Sequence, residues 1–210
     1  MDERRKILQE IIQDIKAHTC SLRSGCKQAV PGEGNPASPI VFIGEGPGRW
    51  EDEQGRPFVG PAGKLLNELL VEIGWKREDV YITNINRCRP PGNRDPLPEE
   101  VAEHSEFLRR ELELIKPKLI VLLGRHALNK FLPNEQISKC HGRAKRKGRE
   151  VYLAIYHPAA ALHNPNLMGA LREDFKKIPL ILSKIDELPP AAAGPTSAEV
   201  MPPAQQDPLF

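Results

Sequence analysis

A chain of 210 residues, with 30 lysines and arginines against 28 acidic residues and a hydrophobic fraction of 40%, has material for one folded domain plus tails. No apolar run approaches the roughly 18–20 residues that a membrane span needs, and the opening MDERRKILQE is charged where a secretory leader is apolar. A membrane-embedded protein and a secreted disulfide scaffold are excluded, and the expected setting is the cytoplasm, as a monomer.

Ile7, Leu8, Ile11, Ile12 and Ile15 recur with helical period, which predicts an amphipathic helix over residues 3–17. A loop rich in glycine and proline follows to Pro39. Ile40-Val41-Phe42-Ile43 then reads as a short apolar run ending at Gly44, the pattern of a strand covered on both faces. A helix is predicted from Ala62 to Ile73, stopped by Gly74, and a second strand at Val80–Thr83. Pro98 to Ile115 reads as one helix ended by Pro117, Leu119–Leu123 as a third strand, and Arg125 to Phe131 as another helix. Arg143, Lys145, Arg146, Lys147 and Arg149 then cluster, either as a solvated loop or as a polyanion contact. A fourth, weaker strand at Val151–Tyr156 and a last helix from about Asn166 to Ile185 complete the pattern.

Strands alternating with helices predict an α/β fold, a three-layer αβα arrangement with a short central, mostly parallel, four-stranded sheet. The domain is expected to span residues 1–187. Residues 188–210, rich in proline and alanine, lack the large apolar groups that offset the entropy of ordering and read as a disordered tail. Ligands of such folds collect where the strands' C-terminal ends open into loops.

Those loops carry the chemistry. After the first strand comes Gly44-Glu45-Gly46-Pro47-Gly48, glycines flanking a carboxylate, without the Gly-Lys-Ser/Thr ending of a phosphate loop or a dinucleotide fingerprint. Glu51, Asp52 and Pro57-Phe58-Val59-Gly60-Pro61-Ala62-Gly63 follow. The second strand ends in Asn84, which can either read a nucleobase edge or cap a turn, and continues to Cys88-Arg89-Pro90-Pro91-Gly92-Asn93-Arg94. The fourth ends in His157-Pro158-Ala159-Ala160. With no export signal, Cys20, Cys26, Cys88 and Cys140 are expected as reduced thiols rather than a disulfide framework.

Taken together these four blocks resemble the uracil-DNA glycosylase superfamily, most closely family 4, the iron–sulfur type, over about residues 20–185. The resemblance implies hydrolysis of the bond joining uracil to deoxyribose after the base has been flipped from DNA. It implies that Glu45 positions the attacking water and that His157 donates to the departing base. By the same resemblance Phe58 would stack on uracil, Asn84 would read its polar edge, and Gly44 and Gly46 would shape the substrate loop, Gly46 standing where the family has alanine. Arg89, Arg94, Arg143 and His163 are candidate phosphate contacts, and Leu162 a candidate wedge into the vacated stack. A catalytically weakened damaged-DNA-binding module of the same fold is the alternative reading.

Family 4 holds a [4Fe-4S] cluster through four cysteines. Here Cys20 and Cys88 match two of them, while Ala17 and His104 stand at the other two positions. Such clusters as a rule take four thiolates, so packing is expected to have replaced a stable cluster. Cys20, Cys88 and His104 are then its remnant ligand set; Cys26, six positions beyond Cys20, could in principle substitute for a missing ligand, although the family places another residue type there. No cofactor is required for the excision itself. The final Gln206-Asp207-Pro208-Leu209-Phe210 resembles the sliding-clamp-binding peptide, which implies a tether to the replication machinery.

Overall fold

In the computed structural model, which describes residues 3–185, the chain opens with helix α1 (Glu3–Ala17), whose Leu8, Ile11 and Ile15 are buried. A two-residue strand, β1 (Glu33–Gly34), leads to β2 (Ile40–Gly44). Helices α2 (Arg49–Gln54) and α3 (Pro61–Glu72) come before β3 (Tyr81–Asn84). Then follow α4 (Pro98–Glu103), α5 (Ser105–Ile115), β4 (Leu119–Leu123), α6 (Gly124–Phe131) and α7 (Ile137–Cys140). The hairpin of β5 (Ala144–Lys147) and β6 (Glu150–Ile155), then α8 (Pro158–His163) and α9 (Met168–Lys184), complete the described chain.

Every residue of β2, β3 and β4 is buried because helices cover both faces of the sheet. Side chains alternate between the faces, so one strand feeds two cores. Ile40 and Phe42 join Val121, Leu153, Leu66 and Phe175 beneath α3 and α9. Val41 and Ile43 join Ile120, Tyr152, Leu108 and Leu128 beneath α1, α5 and α6. Three layers follow directly from that alternation.

Among the described residues six strands form the sheet, in the order β1-β3-β2-β4-β6-β5. The four expected strands are its parallel centre. The sheet is larger than expected because β1 and β5 add antiparallel edges. The basic cluster is thus an edge strand, not a loop: Ala144–Lys147 pairs with β6 through the turn Gly148-Arg149, where Gly148 takes the positive φ (61°) of a tight hairpin. Charged residues suit an exposed edge, where they oppose pairing with another chain.

The expected single helix over 98–115 is two, broken at His104 (φ −100°, ψ −3°). Its ring nitrogen Nδ1 lies 2.8 Å from the Glu100 carbonyl oxygen, which a continuous helix gives to a backbone N–H. Among the described residues no helix is long and apolar enough to cross a membrane. The expected tail 188–210, with the peptide 206–210, lies outside the described residues.

Candidate functional site

Four parallel strands deliver their C-terminal ends to one edge of the sheet. The chain leaves β2 toward β3 on one side and later returns to β4 on the other. A crevice opens at that reversal. It holds a cleft of about 670 Å³ whose walls include Glu45, Gly46, Asn86, His126, His157 and His163. Strand pairing continues past β2 and β3, with the Ile85 and Asn86 N–H groups donating to the Gly44 and Glu45 carbonyls at 2.9 Å, so the Glu45 loop is zipped to its neighbour.

The conspicuous Glu51-Asp52 pair braces this loop, and Glu51 lines the cleft as well. Glu51 is nearly buried and accepts backbone N–H bonds from Gly48 (3.1 Å), Val59 (2.9 Å) and Gly60 (2.8 Å), tying the two glycine-bearing segments together. Asp52 accepts from the Lys27 and Gln28 amides. The braced turn holds Phe58 at a left-handed φ of 51°, rare for an aromatic residue. Arg77 donates to the Phe58 and Pro57 carbonyls. A Cβ on Gly63 would stand 1.9 Å from the Phe58 carbonyl oxygen, so only glycine lets α3 pass this close.

Inside the cleft, Glu45 Oε2 lies 3.7 Å from His126 Nε2, which is 3.3 Å from Asp95 Oδ1. Burial raises the Glu45 pKa above its ordinary value; His126 and Arg125 oppose that shift, and the Asp95 charge adds to it. His157 opens α8, and its Nδ1 accepts the Ala159 N–H at 3.1 Å. The remaining nitrogen, Nε2, therefore carries the proton of the neutral ring. Burial lowers the His157 pKa to about 4, which keeps the ring neutral at physiological pH. Gly124, at a φ of 86°, brings α6 so near that a Cβ there would be 2.9 Å from His157 Cβ.

The Phe58 and His157 rings stack with centroids 5.5 Å apart, their planes inclined by 27°. Asn84 is buried behind them and is not a wall residue. Gly44 makes room for both, since a Cβ on it would lie 2.5 Å from Asn84 Oδ1 and 2.6 Å from Phe58 Cζ. Asn84 Oδ1 is buried without a hydrogen-bond partner, a costly state that an N–H donor entering from the cleft relieves. The arrangement sets a carboxylate and an imidazole N–H around one cleft, with an aromatic face in its wall and an unpaired acceptor buried behind that wall. That equipment suits a planar, polar-edged ligand bonded to a group that gains positive charge.

The candidate DNA contacts divide. Arg94 and His163 line the cleft, although Arg94 also holds Glu100 in a two-bond pair. Leu162 is 45% exposed on α8, beside His163. Arg89 is not a wall residue and donates to Asn93 Oδ1 at 2.6 Å. Arg143 is exposed and outside the wall, near the C-terminal end of β6, where Gly142 N–H donates to the Ala154 carbonyl. Lys147 and Arg149 sit at the opposite end of the hairpin, so the basic cluster is not one surface. Asn86, Asp95 and His126 escaped the sequence reading. The rule that ligands gather at strand ends points to His126, three residues past β4.

A second cluster lies away from the cleft. Cys20 Sγ is 3.4 Å from Cys88 Sγ, and the ligand atoms of Cys20, Cys88 and His104 lie within 4.8 Å of one another. All four cysteines are free thiols. Ala17, the last residue of α1, offers no ligand, and His104 brings an imidazole, so the set does not fit a four-thiolate cluster.

Comparison with known proteins agrees with this geometry. The uracil DNA glycosylase superfamily model matches residues 31–179. The chain belongs to the uracil-DNA glycosylase superfamily. It is 50% identical over 181 residues to the type-4 uracil-DNA glycosylase of Archaeoglobus fulgidus, covering 81% of this chain and 91% of that one. It is 42% identical to the type-4 uracil-DNA glycosylase of Thermotoga maritima, covering 86% and 97% of the two chains. Similarity to a type-5 uracil-DNA glycosylase, that of Pyrobaculum aerophilum, is lower, 34% over 149 residues and 62% of this chain.

Proposed function

We infer that this chain is a uracil-DNA glycosylase, a hydrolase that cuts the N-glycosidic bond of deoxyuridine in DNA and leaves an abasic site. The observation that carries the reading is the meeting of Glu45 and His157 on one strand-end cleft, within the segment that the superfamily model matches. The target carbon is inaccessible in stacked DNA, so the nucleotide is first flipped out. Parting of the Phe58 and His157 rings admits the base, and stacking on Phe58 contributes roughly 1–3 kcal/mol. The unpartnered Oδ1 of Asn84 accepts the N3–H of uracil. Cytosine presents a lone pair there and leaves the oxygen unpaired.

As the C1′–N1 bond breaks, its electron pair moves onto the base and positive charge develops on the sugar. His157 Nε2–H donates to the uracil oxygen that gains negative charge. A neutral donor suits this task, because it stabilises the anion without having to lose a proton. The Glu45 carboxylate faces the cationic sugar and orients the water. The water oxygen bonds to C1′, and its proton passes to Glu45 or to solvent. These steps draw on side chains and water, and no step passes through a metal or cluster. Arg94 and His163 contact the flanking phosphates, Leu162 fills the gap left in the stack, and Gln206–Phe210 tethers the enzyme to the sliding clamp.

Incubation with a uracil-containing oligonucleotide, followed by alkaline cleavage of abasic sites, tests the reading. The wild-type chain is expected to cut at uracil, and Glu45→Ala and His157→Ala to lose most turnover while melting like the parent. An inactive wild-type chain refutes the function; a fully active variant refutes the role given to that residue.

A further inference from the structure

We propose that Cys20, Cys26, Cys88 and His104 hold a single zinc ion in a closed, structural Cys3His site, in the place where the superfamily's iron–sulfur members carry their cluster. Three observations carry this. The first is convergence. The chain brings Cys20 and Cys26 from the segment after α1, Cys88 from the loop after β3, and His104 from the α4–α5 break. The Cys20 and Cys88 sulfurs are 3.4 Å apart, the Cys20, Cys88 and His104 donor atoms fall within 4.8 Å of one another, and Cys26 packs with Cys20 against the small core that contains Cys88. Ligands arranged tetrahedrally around zinc, with Zn–S near 2.3 Å, stand about 3.8 Å from one another. A four-iron cube spreads its thiolates around a much larger core and needs four of them.

The second observation is the state of His104. Its Nδ1 is 2.8 Å from the Glu100 carbonyl oxygen, which only accepts, so Nδ1 carries the proton. Nε2 is then a bare lone pair, fully buried and without a partner. An imidazole whose far N–H is fixed by a backbone carbonyl is the usual outer-shell arrangement of a metal-bound histidine. The helix break at His104 is what turns this ring inward.

The third is the character of the pocket. Cys88 and His104 are buried, and none of the four residues lines the cleft, so no position is left open for substrate. Four protein ligands of the N/S type with no open position define a structural zinc site. Three thiolates and one zinc ion leave one net negative charge. The Arg23 guanidinium, 3.7 Å from Cys26 Sγ, lies against it.

The test is metal content, independent of excision. The full chain is purified from cells supplied with both iron and zinc, and zinc, iron and acid-labile sulfide are measured. One zinc per chain is expected, without stoichiometric iron or sulfide. Exchange of the zinc for cobalt should give the thiolate charge-transfer band and intense ligand-field bands of a tetrahedral Co–S site. Cys26→Ser and His104→Ala should each lose most bound zinc. The cobalt spectrum of the wild-type chain decides the matter even where a variant fails to fold. Iron with equimolar labile sulfide, a Cys20–Cys88 disulfide, a zinc-free chain that takes up none at micromolar zinc, or full zinc retention in Cys26→Ser or His104→Ala each overturns the assignment.

Discussion

Glu51→Ala tests how far the hydrogen-bonded brace sustains the cleft. Glu51 accepts three backbone N–H bonds, from Gly48, Val59 and Gly60, and is nearly buried. Hydrogen bonds to a charged group contribute about 1.5–3 kcal/mol each, so the gross loss is about 4–9 kcal/mol. Truncation lets water reach the half-exposed Gly48 and Val59 amides, whereas Gly60 is buried. That exchange, together with relief of the left-handed Phe58 backbone, reduces the net cost to about 2–4 kcal/mol. At roughly 2–4 °C per kcal/mol for a chain of this size, the melting temperature should fall by about 10 °C. Phe58 then loses its fixed position, so KM for uracil-containing DNA should rise more than kcat falls. Glu51→Gln keeps one acceptor oxygen and should cost about half as much. Thermal melts by circular dichroism and steady-state excision kinetics measure both effects. A melt within about 2 °C of the parent, with KM unchanged, refutes the brace.

Excision should rise with pH as Glu45 ionises, through a pKa held above its ordinary value by burial. His126→Ala should move that midpoint to higher pH by removing an opposing charge, and Asp95→Asn should move it lower. A profile of kcat/KM against pH with both midpoints unmoved contradicts the coupling. Because His157 stays neutral down to about pH 4, no limb assignable to it should appear between roughly pH 5 and 8. Gly46→Ala places its Cβ 3.4 Å from Asn86 Cβ, an ordinary contact. It should leave excision unchanged and add about 0.4–1 kcal/mol of stability; a loss of activity would mark the glycine as functional. Glu111→Ala strips the partner from buried Arg87 (2.7 Å) and removes the acceptor of the Tyr81 and Thr83 hydroxyls. Urea unfolding should show a loss of about 3–5 kcal/mol, and a loss under about 1 kcal/mol counts against an uncompensated buried charge.

The central strands were legible because a strand buried on both faces must be apolar throughout, as Ile40–Ile43 and Leu119–Leu123 are. The rule that ligands gather at strand ends brings Glu45 and His157 to one edge of the sheet. The edge strands were not legible. Glu33–Gly34 has two residues, and Ala-Lys-Arg-Lys has no apolar alternation, because an exposed edge is held by backbone pairing alone. The break at His104 was hidden by Val101, Phe107, Leu108 and Ile115, whose spacing suits one continuous helix. A side chain taking a carbonyl from the ladder leaves no mark on that periodicity. His126 was missed because α6 begins at the last residue of the β4 exit, with no glycine-rich loop to draw attention to it.

The loop leaving β3 shows why a family cluster could lose two ligands without loss of the site. Asn86 lines the cleft and Asn84 lies buried behind it, while Arg87 and Cys88 are packed in the interior. Arg87 is held by Glu111, which also accepts from Tyr81, Thr83 and the Gly32 amide. Cys88 belongs to the sulfur pocket. The loop is therefore moored at two adjacent points by unrelated chemistry, one ionic and one thiol-based. Only three residues separate Asn84 from Cys88, too short a span to flex freely while Arg87 stays fixed. Weakening of the thiol mooring leaves Asn84 in register as long as the Arg87–Glu111 pair persists. The two moorings should then be redundant: Cys88→Ser and Glu111→Gln each spare discrimination of uracil from cytosine, whereas the double variant loses it. Additive behaviour in that double-mutant cycle would show that the moorings act on separate parts of the protein.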